Sequence, residues 1–300
     1  MVNLRVIVCI AVGVVLLLQQ PLTASAADQK DRGLSIAPLR QEVTVAANKT
    51  TTGFVTVGNL TDKQMVVDLS VREFSVTDYE YDYEFRSPPQ RDWVKLRQQS
   101  IVLEPHKTEK AWYEVTVPEK TTPGGYYFSI FASTKVDTTS GLPGTIQAVT
   151  PLYMKVDGNL VRTGVLQNDS IPFLITGYEI PYKFDVKNTG NVHFTAYFYG
   201  QVGGLLFGQQ PEVGENHLLM PGKIRTIEGH IPTPLLPGIY KVTYGYKVDF
   251  ASIITTKTAY VLFIPPWSIV TLVFIFFAVR WVQQRRQGLP KQSKKKTKDS

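Results

Sequence analysis

Short stretches of alternating apolar and polar residues fill the chain between residues 34 and 263. Examples are Gly53-F-V-T-V-G, Val66-V-D-L-S-V and Tyr240-K-V-T-Y-G-Y. A period of two is typical of strands that bury one face, and Asn, Gly and Pro residues separate the stretches. No stretch of useful length has the period of an amphipathic helix. The pattern therefore predicts an all-β fold built from antiparallel β-sandwiches.

A group of turn and strand residues occurs twice, which indicates two tandem copies of one domain. The repeated positions are Pro118, Pro123, Gly124 and Tyr126 in the first copy and Pro232, Pro237, Gly238 and Tyr240 in the second. Proline ends a strand, glycine takes the bend, and the tyrosine hydroxyl returns to the backbone a few residues upstream, as in the corner of an immunoglobulin-like domain. We expect a distal sandwich over residues 34–157 and a proximal one over 158–263, with a structural role for the corner residues.

The N-terminus has the pattern of a secretory signal peptide. Arg5 precedes an apolar run over 6–18, and Ala24-S-A provides a small-residue cleavage site. We predict a signal peptide over residues 1–26. The single cysteine, Cys9, lies within it, so the exported chain would depend on packing rather than on disulfides.

A second apolar run, residues 266–282, predicts a transmembrane segment over 264–284. A basic tail over 285–300 follows it and supplies the positive-inside signal. The residues that we expect to anchor this helix are Trp267, Arg280, Trp281, Arg285 and Arg286. The expected topology is a single-pass type I protein of the cell membrane with an extracellular ectodomain, in contact with the lipid bilayer through its C-terminal helix.

The formal charge of +7 is concentrated at the chain ends. Residues 27–266 carry 23 cationic and 24 anionic side chains. A nearly neutral ectodomain lacks the basic surface that phosphate backbones require, so we expect no nucleic-acid partner.

No residue pattern in the chain predicts catalysis. The four histidines, at positions 106, 193, 217 and 230, have no metal-ligand spacing, and the common nucleophile and phosphate-binding motifs are absent from the sequence. We therefore expect a protein that is not an enzyme, without a cofactor or a metal.

One segment combines a high density of acids and rings. Four acidic residues alternate with four aromatic ones: Asp78, Tyr79, Glu80, Tyr81, Asp82, Tyr83, Glu84 and Phe85. If the segment is extended, its carboxylates lie on one face and its rings on the other. It is then either a solvated strand face or a recognition strip for a glycan, a protein or Ca²⁺, and Trp93 either extends it or fills the core. The segment 200–216 has the composition of an exposed loop and is a second candidate contact.

The order of these features resembles the WxL-interacting surface proteins of Gram-positive bacteria. The resemblance rests on S-I-A-P-L-R-Q-E-V-T-V and N-K-T-T-T-G-F-V-T-V-G-N-L-T-D at the start of the distal domain, P-G-G-Y-Y-F-S-I, a second sandwich, and a C-terminal span with a basic tail. It implies a distal domain that binds peptidoglycan and a proximal domain that binds partner proteins. The chain is also similar to anchored proteins of candidate-phylum bacteria, from which no activity follows.

Two functions remain open at this point. The first is a noncatalytic surface-binding or scaffold protein of the bacterial envelope, whose partner is cell-wall polymer or an envelope or surface protein. The second is an anchored assembly chaperone of the pilus type, which would complete a subunit by strand addition at an exposed edge. The membrane anchor favours the first, because a chaperone that shuttles is normally soluble.

Overall fold

The computed structural model describes residues 33–137, 143–204, 208–248 and 253–287. Over these residues the chain forms nineteen strands followed by one helix. The predicted all-β class is confirmed, since two tandem antiparallel sandwiches precede a single apolar helix. The predicted signal peptide and most of the predicted basic tail, residues 288–300, lie outside the described residues.

Ten strands form the distal sandwich. They are β1 (Leu34–Ala37), β2 (Gln41–Val45), β3 (Thr50–Asn59), β4 (Met65–Val76), β5 (Tyr83–Arg86), β6 (Val94–Leu96), β7 (Ser100–Leu103), β8 (Thr108–Thr116), β9 (Gly124–Asp137) and β10 (Pro143–Val156). One sheet has the order β1-β3-β8-β6, and the other has the order β2-β10-β9-β4-β5, with β7 also paired to β4. In the second half of β8, the alternate residues Ala111, Tyr113 and Val115 are buried between the sheets.

Nine strands form the proximal sandwich. They are β11 (Gly164–Ser170), β12 (Leu174–Ile175), β13 (Glu179–Asn188), β14 (Phe194–Gly204), β15 (Gly208–Gln209), β16 (Val213–Leu219), β17 (Ile224–Pro232), β18 (Gly238–Val248) and β19 (Ile253–Phe263). The sheets have the orders β11-β13-β17 and β12-β19-β18-β14-β15, with β16 also paired to β14. The segment 200–216, which we expected to be an exposed loop, is therefore mostly strand.

The first two strands of each sandwich pair in the same way. In the distal domain, β1 pairs antiparallel with β3, and the chain then changes sheets so that β2 pairs parallel with β10. In the proximal domain, β11 pairs antiparallel with β13, and β12 pairs parallel with β19. The sequence repeat is thus matched by a repeat in strand pairing.

Both tyrosine corners contain the hydrogen bond that the repeat predicts. The hydroxyl of Tyr126 donates to the carbonyl of Thr122 at 2.9 Å, and that of Tyr240 donates to the carbonyl of Leu236 at 2.8 Å. The environments differ, because Tyr240 is buried whereas the bond of Tyr126 is exposed to solvent. The expectation that glycine is needed for the bend is wrong at Gly238, where an added Cβ would make only ordinary contacts.

A buried asparagine fixes an equivalent turn in each domain. The side-chain amide of Asn59 donates to the carbonyl of Leu103 at 3.1 Å, and that of Asn188 donates to the carbonyl of Leu219 at 3.0 Å. Each side-chain oxygen also accepts a backbone N–H two residues further on. These side-chain amides form hydrogen bonds with backbone groups of the turn that are inside the protein and out of reach of water.

Two residues separate β19 from the helix α1 (Pro266–Gln287). Residues Pro266–Gln284 are long and apolar enough to cross a membrane, with a mean hydropathy of 1.5, and only 6% of that stretch is buried in the protein. The side chains of Trp267, Arg280 and Trp281 are exposed along it. Arg285 and Arg286 belong to its last turn.

Candidate binding surfaces

The acidic and aromatic strip is a bent loop followed by a short strand. Tyr79 and Tyr81 have φ values of 71° and 64°, which lie in the left-handed region, so the chain turns there and the alternation ends. The N–H of Thr77 donates to the carbonyl of Asp82 at 2.9 Å and closes the loop. Only Tyr83–Arg86 is extended, as β5. The segment is therefore not extended as a whole, and the expectation that its carboxylates lie on one face and its rings on the other is wrong.

The first half of this loop binds the proximal domain. The N–H of Tyr79 donates to the carbonyl of Ile224 at 2.7 Å, and the N–H of Thr226 donates to the carbonyl of Tyr79 at 3.3 Å. The carboxylate of Asp78 accepts a hydrogen bond of 2.8 Å from the N–H of Ile224. Two of the predicted ligand contacts thus join the two domains of the same chain.

Tyr81 extends this contact into the space between the domains. Its hydroxyl accepts a hydrogen bond of 2.8 Å from the N–H of Met220. The guanidinium of Arg225 lies 4.6 Å from the ring centroid and donates to the carbonyl of Leu218 at 3.0 Å. Burial raises the pKa of Tyr81 to about 12, so the hydroxyl is neutral at physiological pH. No sequence pattern singles out Arg225, which completes this contact from the other domain.

The other predicted contacts divide between solvent and core. Glu80, Asp82 and Glu84 are exposed. Trp93 packs on the distal core, with its ring centroid 4.7 Å from that of Tyr126, so it does not extend the strip. Among the residues that the structure describes, no three His, Cys, Asp or Glu side chains are grouped closely enough to hold a metal ion.

Tyr83 and Phe85 form an exposed aromatic pair on β5. Their ring planes differ by 8° and their centroids are 5.9 Å apart. The rings are supported from below, because Phe74 lies 5.3 Å from Tyr83 and Phe131 lies 5.0 Å from Phe85. With 48% and 38% of their surface exposed, Tyr83 and Phe85 provide a flat apolar platform at the sheet edge.

A second set of contacts holds the domains together through Asn191. Its side-chain amide donates to the carbonyls of Pro123 at 3.0 Å and Asn159 at 2.9 Å. Its own carbonyl accepts the N–H of Gly125 at 2.8 Å. The same carbonyl lies 2.8 Å from the position that a Cβ of Gly124 would occupy, so this close approach requires glycine at the distal corner.

His193 is buried between the domains and is neutral. The hydroxyl of Tyr127 lies 3.1 Å from its Nδ1 and accepts its backbone N–H at 3.1 Å. The tyrosine can donate to Nδ1, which leaves the ring proton on Nε2. That atom has no hydrogen-bond partner and lies 3.9 Å from Glu42. Burial, reinforced by the nearby charge of Lys155, lowers the pKa of His193 to about 4.

A cavity of about 460 Å³ between the domains is lined by three cationic side chains and one carboxylate. Lys155 donates to the carboxylate of Glu42 at 2.7 Å, and Arg40 donates to its other oxygen. Burial alone would raise the pKa of Glu42, but the bonds from these two cations outweigh it and the pKa is lowered. Arg162 also lines the cavity.

The strand β10 has one edge that is only partly paired. It pairs with β9 along its whole length, whereas β2 covers only Leu152–Val156 on the other side. From 143 to 151, no described strand pairs with this second edge. Ile146 and Ala148 face the core, while Thr145 and Gln147 face solvent. The result is an extended backbone whose outward N–H and C=O groups are open to a further strand.

No family model and no curated relative matches this chain. Among solved structures, it is similar to the class 5 fimbriae chaperone CfaA, with 10% identity, 77% of this chain and 99% of that chain covered, and a TM-score of 0.43. The Pseudomonas aeruginosa CupB2 chaperone has 10% identity, coverage of 75% and 98%, and a TM-score of 0.36. The E. coli chaperone DraB has 11% identity, coverage of 76% and 96%, and a TM-score of 0.37. Since every one of these scores is below 0.5, the fold assignment rests on the strand order of the chain itself.

Proposed function

We propose that this chain is a noncatalytic, membrane-anchored binding protein of the bacterial envelope, and that it holds an extended segment of a partner protein along the free edge of β10. The observation that carries the proposal is the partly paired edge at 143–151. A strand added there would continue the sheet and satisfy the outward backbone groups, and the side chains would provide selectivity.

The charge distribution supports this edge over the others. Residues 143–151, P-G-T-I-Q-A-V-T-P, include no charged side chain. By contrast, the edge strands β5 and β6 of the distal domain each contain a charged side chain. The edge strands β11 and β17 of the proximal domain do so as well. Charged residues on an edge discourage pairing with a second chain. The other uncharged edge segments, such as β1, β7 and residues 50–55 of β3, are shorter than the nine-residue edge of β10. The edge of β10 is therefore the one best suited to accept a strand.

The helix α1 supports a membrane location for this activity. Its apolar side chains, including Phe274 and Phe277, are exposed to the surroundings of the protein, which is costly in water and favourable in lipid. The basic residues after it favour a cytosolic C-terminus. The two sandwiches would then lie on the outer side of the membrane.

Site-specific photo-crosslinking in intact cells tests the proposal. A photoreactive residue at Gln147 should capture a protein partner, whereas one at Asp68, which is exposed on β4 and paired with β7 and β9 on its two sides, should not. Thr145→Lys, placed beside Gln147, should abolish the capture, and Thr108→Lys on β8 is the matched control. Equal labelling from positions 147 and 68, or a crosslinked species that wall hydrolases digest, would exclude strand addition.

A second candidate is binding of a cell-wall glycan at Tyr83 and Phe85. The specific observation is the exposed pair of parallel rings, because an exposed aromatic ring can pack against the flat apolar face of a sugar. Tyr83→Ala with Phe85→Ala should then abolish cosedimentation of the full chain with purified wall, while Trp112→Ala, an exposed ring on β8, should not. Unchanged cosedimentation of the double variant would contradict this candidate and leave the proposal for β10 intact.

A further inference from the structure

Two segments of the proximal domain, called loops here although they include β12 and the first two residues of β18, have no charged side chain. They comprise residues 171–178, I-P-F-L-I-T-G-Y, and residues 233–239, T-P-L-L-P-G-I. Loops on a soluble domain normally contain charged or other strongly polar residues, because they face water. The uncharged, apolar composition of these two loops therefore indicates that they contact something other than water.

The strand pairing brings the two loops together at the end of the sandwich where α1 begins. The N–H of Thr233 donates to the carbonyl of Tyr178 at 3.0 Å, and the N–H of Leu262 donates to the carbonyl of Phe173 at 2.6 Å. Gly238, within the second loop, lies opposite Phe263, the last residue of β19. Both loops therefore border the strand that continues into α1.

The apolar side chains of these loops point outward. Leu235 is 88% exposed, Tyr178 is 70% exposed and Phe173 is 64% exposed. Leu174, Leu236 and Ile239 are exposed beside them. A group of large exposed apolar side chains on two adjoining loops of a soluble protein marks an interaction site. We refer to these six residues as the apolar rim.

The start of α1 is held close to the rim. Only Ile264 and Pro265 separate β19 from the helix, so the first helical residue is within about 11 Å of Phe263. The hydroxyl of Ser268 donates to the carbonyl of Pro265 at 2.7 Å, and both residues are buried. Wherever α1 enters a bilayer, the rim must therefore be near the surface of that bilayer.

We infer that the apolar rim is a second membrane contact, and that it inserts into the boundary between headgroups and acyl chains of the same bilayer that α1 crosses. The inference rests on the proposed membrane location of α1. Leucine, phenylalanine and tyrosine side chains are favoured at this depth, and the absence of charge in both loops avoids the cost of bringing ionised groups there. The proximal domain thus lies on the membrane surface, and the bilayer is the occupant of the rim.

Single-cysteine labelling in vesicles tests this inference. The full chain carries Cys9→Ser, which removes its one cysteine, and is reconstituted in phosphatidylcholine and phosphatidylglycerol vesicles that contain a doxyl-labelled lipid. An environment-sensitive fluorophore is attached to Leu235→Cys or Ile239→Cys in the rim. Val102→Cys, an exposed apolar position of the distal domain, and Phe274→Cys, in the middle of α1, are the controls.

The expected result is strong quenching at position 274, clear quenching at 235 and 239, several-fold more than at 102, and a blue-shifted emission at both rim positions. Quenching at 274 together with rim positions that match 102 would overturn the inference while α1 remains a membrane span. Absence of quenching at 274 would instead contradict the membrane location itself. Thermal unfolding of each labelled variant establishes that the proximal domain is folded.

Discussion

The hydroxyl of Tyr81 accepts a hydrogen bond of 2.8 Å from the backbone N–H of Met220, which lies 139 residues further along the chain. Met220 is buried, so its N–H has little access to water as an alternative partner. A residue from the most acidic stretch of the distal domain therefore satisfies the backbone of the proximal domain.

Tyr81→Phe should weaken the contact between the domains. The substitution removes the acceptor of a buried N–H, which costs about 1–2 kcal/mol. We expect faster hydrogen exchange at the Met220 amide and a lower free energy of unfolding for the full chain in detergent. Tyr79→Phe is the control, because the described hydrogen bonds of Tyr79 come from its backbone. Equal effects of the two substitutions would contradict this assignment.

The two corner tyrosines should differ in their contribution to stability. Tyr240→Phe is expected to destabilise the protein by about 1–2 kcal/mol, because a partly buried carbonyl loses its partner. Tyr126→Phe should cost clearly less, since water can replace its exposed hydroxyl at the carbonyl of Thr122. Denaturant unfolding of the two variants measures the difference, and a larger loss for Tyr126→Phe would refute the explanation by burial.

Asn188→Ala should be among the more destabilising single substitutions in the proximal domain. It removes donors to the buried carbonyls of Val192 and Leu219, with an expected loss of about 2–3 kcal/mol. Asn216→Ala, at an exposed position of β16, provides the matched control and should leave the unfolding midpoint nearly unchanged. Similar midpoints for both variants would show that the buried amide is dispensable.

His193 should make the protein less stable in mild acid. Its pKa is lowered to about 4 in the folded state from 6.5, so between these values the unfolded chain binds the extra proton. The free energy of unfolding therefore has its full value, as far as His193 is concerned, above pH 6.5. It decreases by up to about 3 kcal/mol as the pH falls from 6.5 towards 4. His193→Gln should reduce the dependence of unfolding free energy on pH in this window. An unaltered slope would assign the acid sensitivity to carboxylates such as Glu42.

The strands and the repeat follow from local patterns, which is why the sequence predicts them. Alternation identifies the face that each strand buries, and Tyr126 and Tyr240 mark equivalent corners because their hydrogen bonds span only four residues. The two repeats are not equivalent at their corner glycines. Gly124 is required because the carbonyl of Asn191 in the other domain approaches it closely, whereas Gly238 has no such contact.

The strip at 78–85 could not be predicted in the same way. Its composition fits a strand, but Tyr79 and Tyr81 adopt left-handed conformations that are stabilised by hydrogen bonds to the proximal domain. The free edge of β10 could not be predicted from the sequence either. It depends on how far β2 extends along β10, which lies more than a hundred residues further along the chain. The uncharged run between Pro143 and Pro151 was its one local signal.

The contacts of Asn191 and Tyr79 tie the two sandwiches together at separate points, and this has a consequence for the choice of partner. If α1 crosses a membrane as proposed, two sandwiches that are fixed to each other hold the free edge of β10 at one height above the lipid surface. Partners that are themselves tethered in the same membrane and present a segment at that height meet the edge at a high effective concentration, whereas diffusing proteins gain no such advantage. The geometry would thus select partners by where they are held as well as by their sequence.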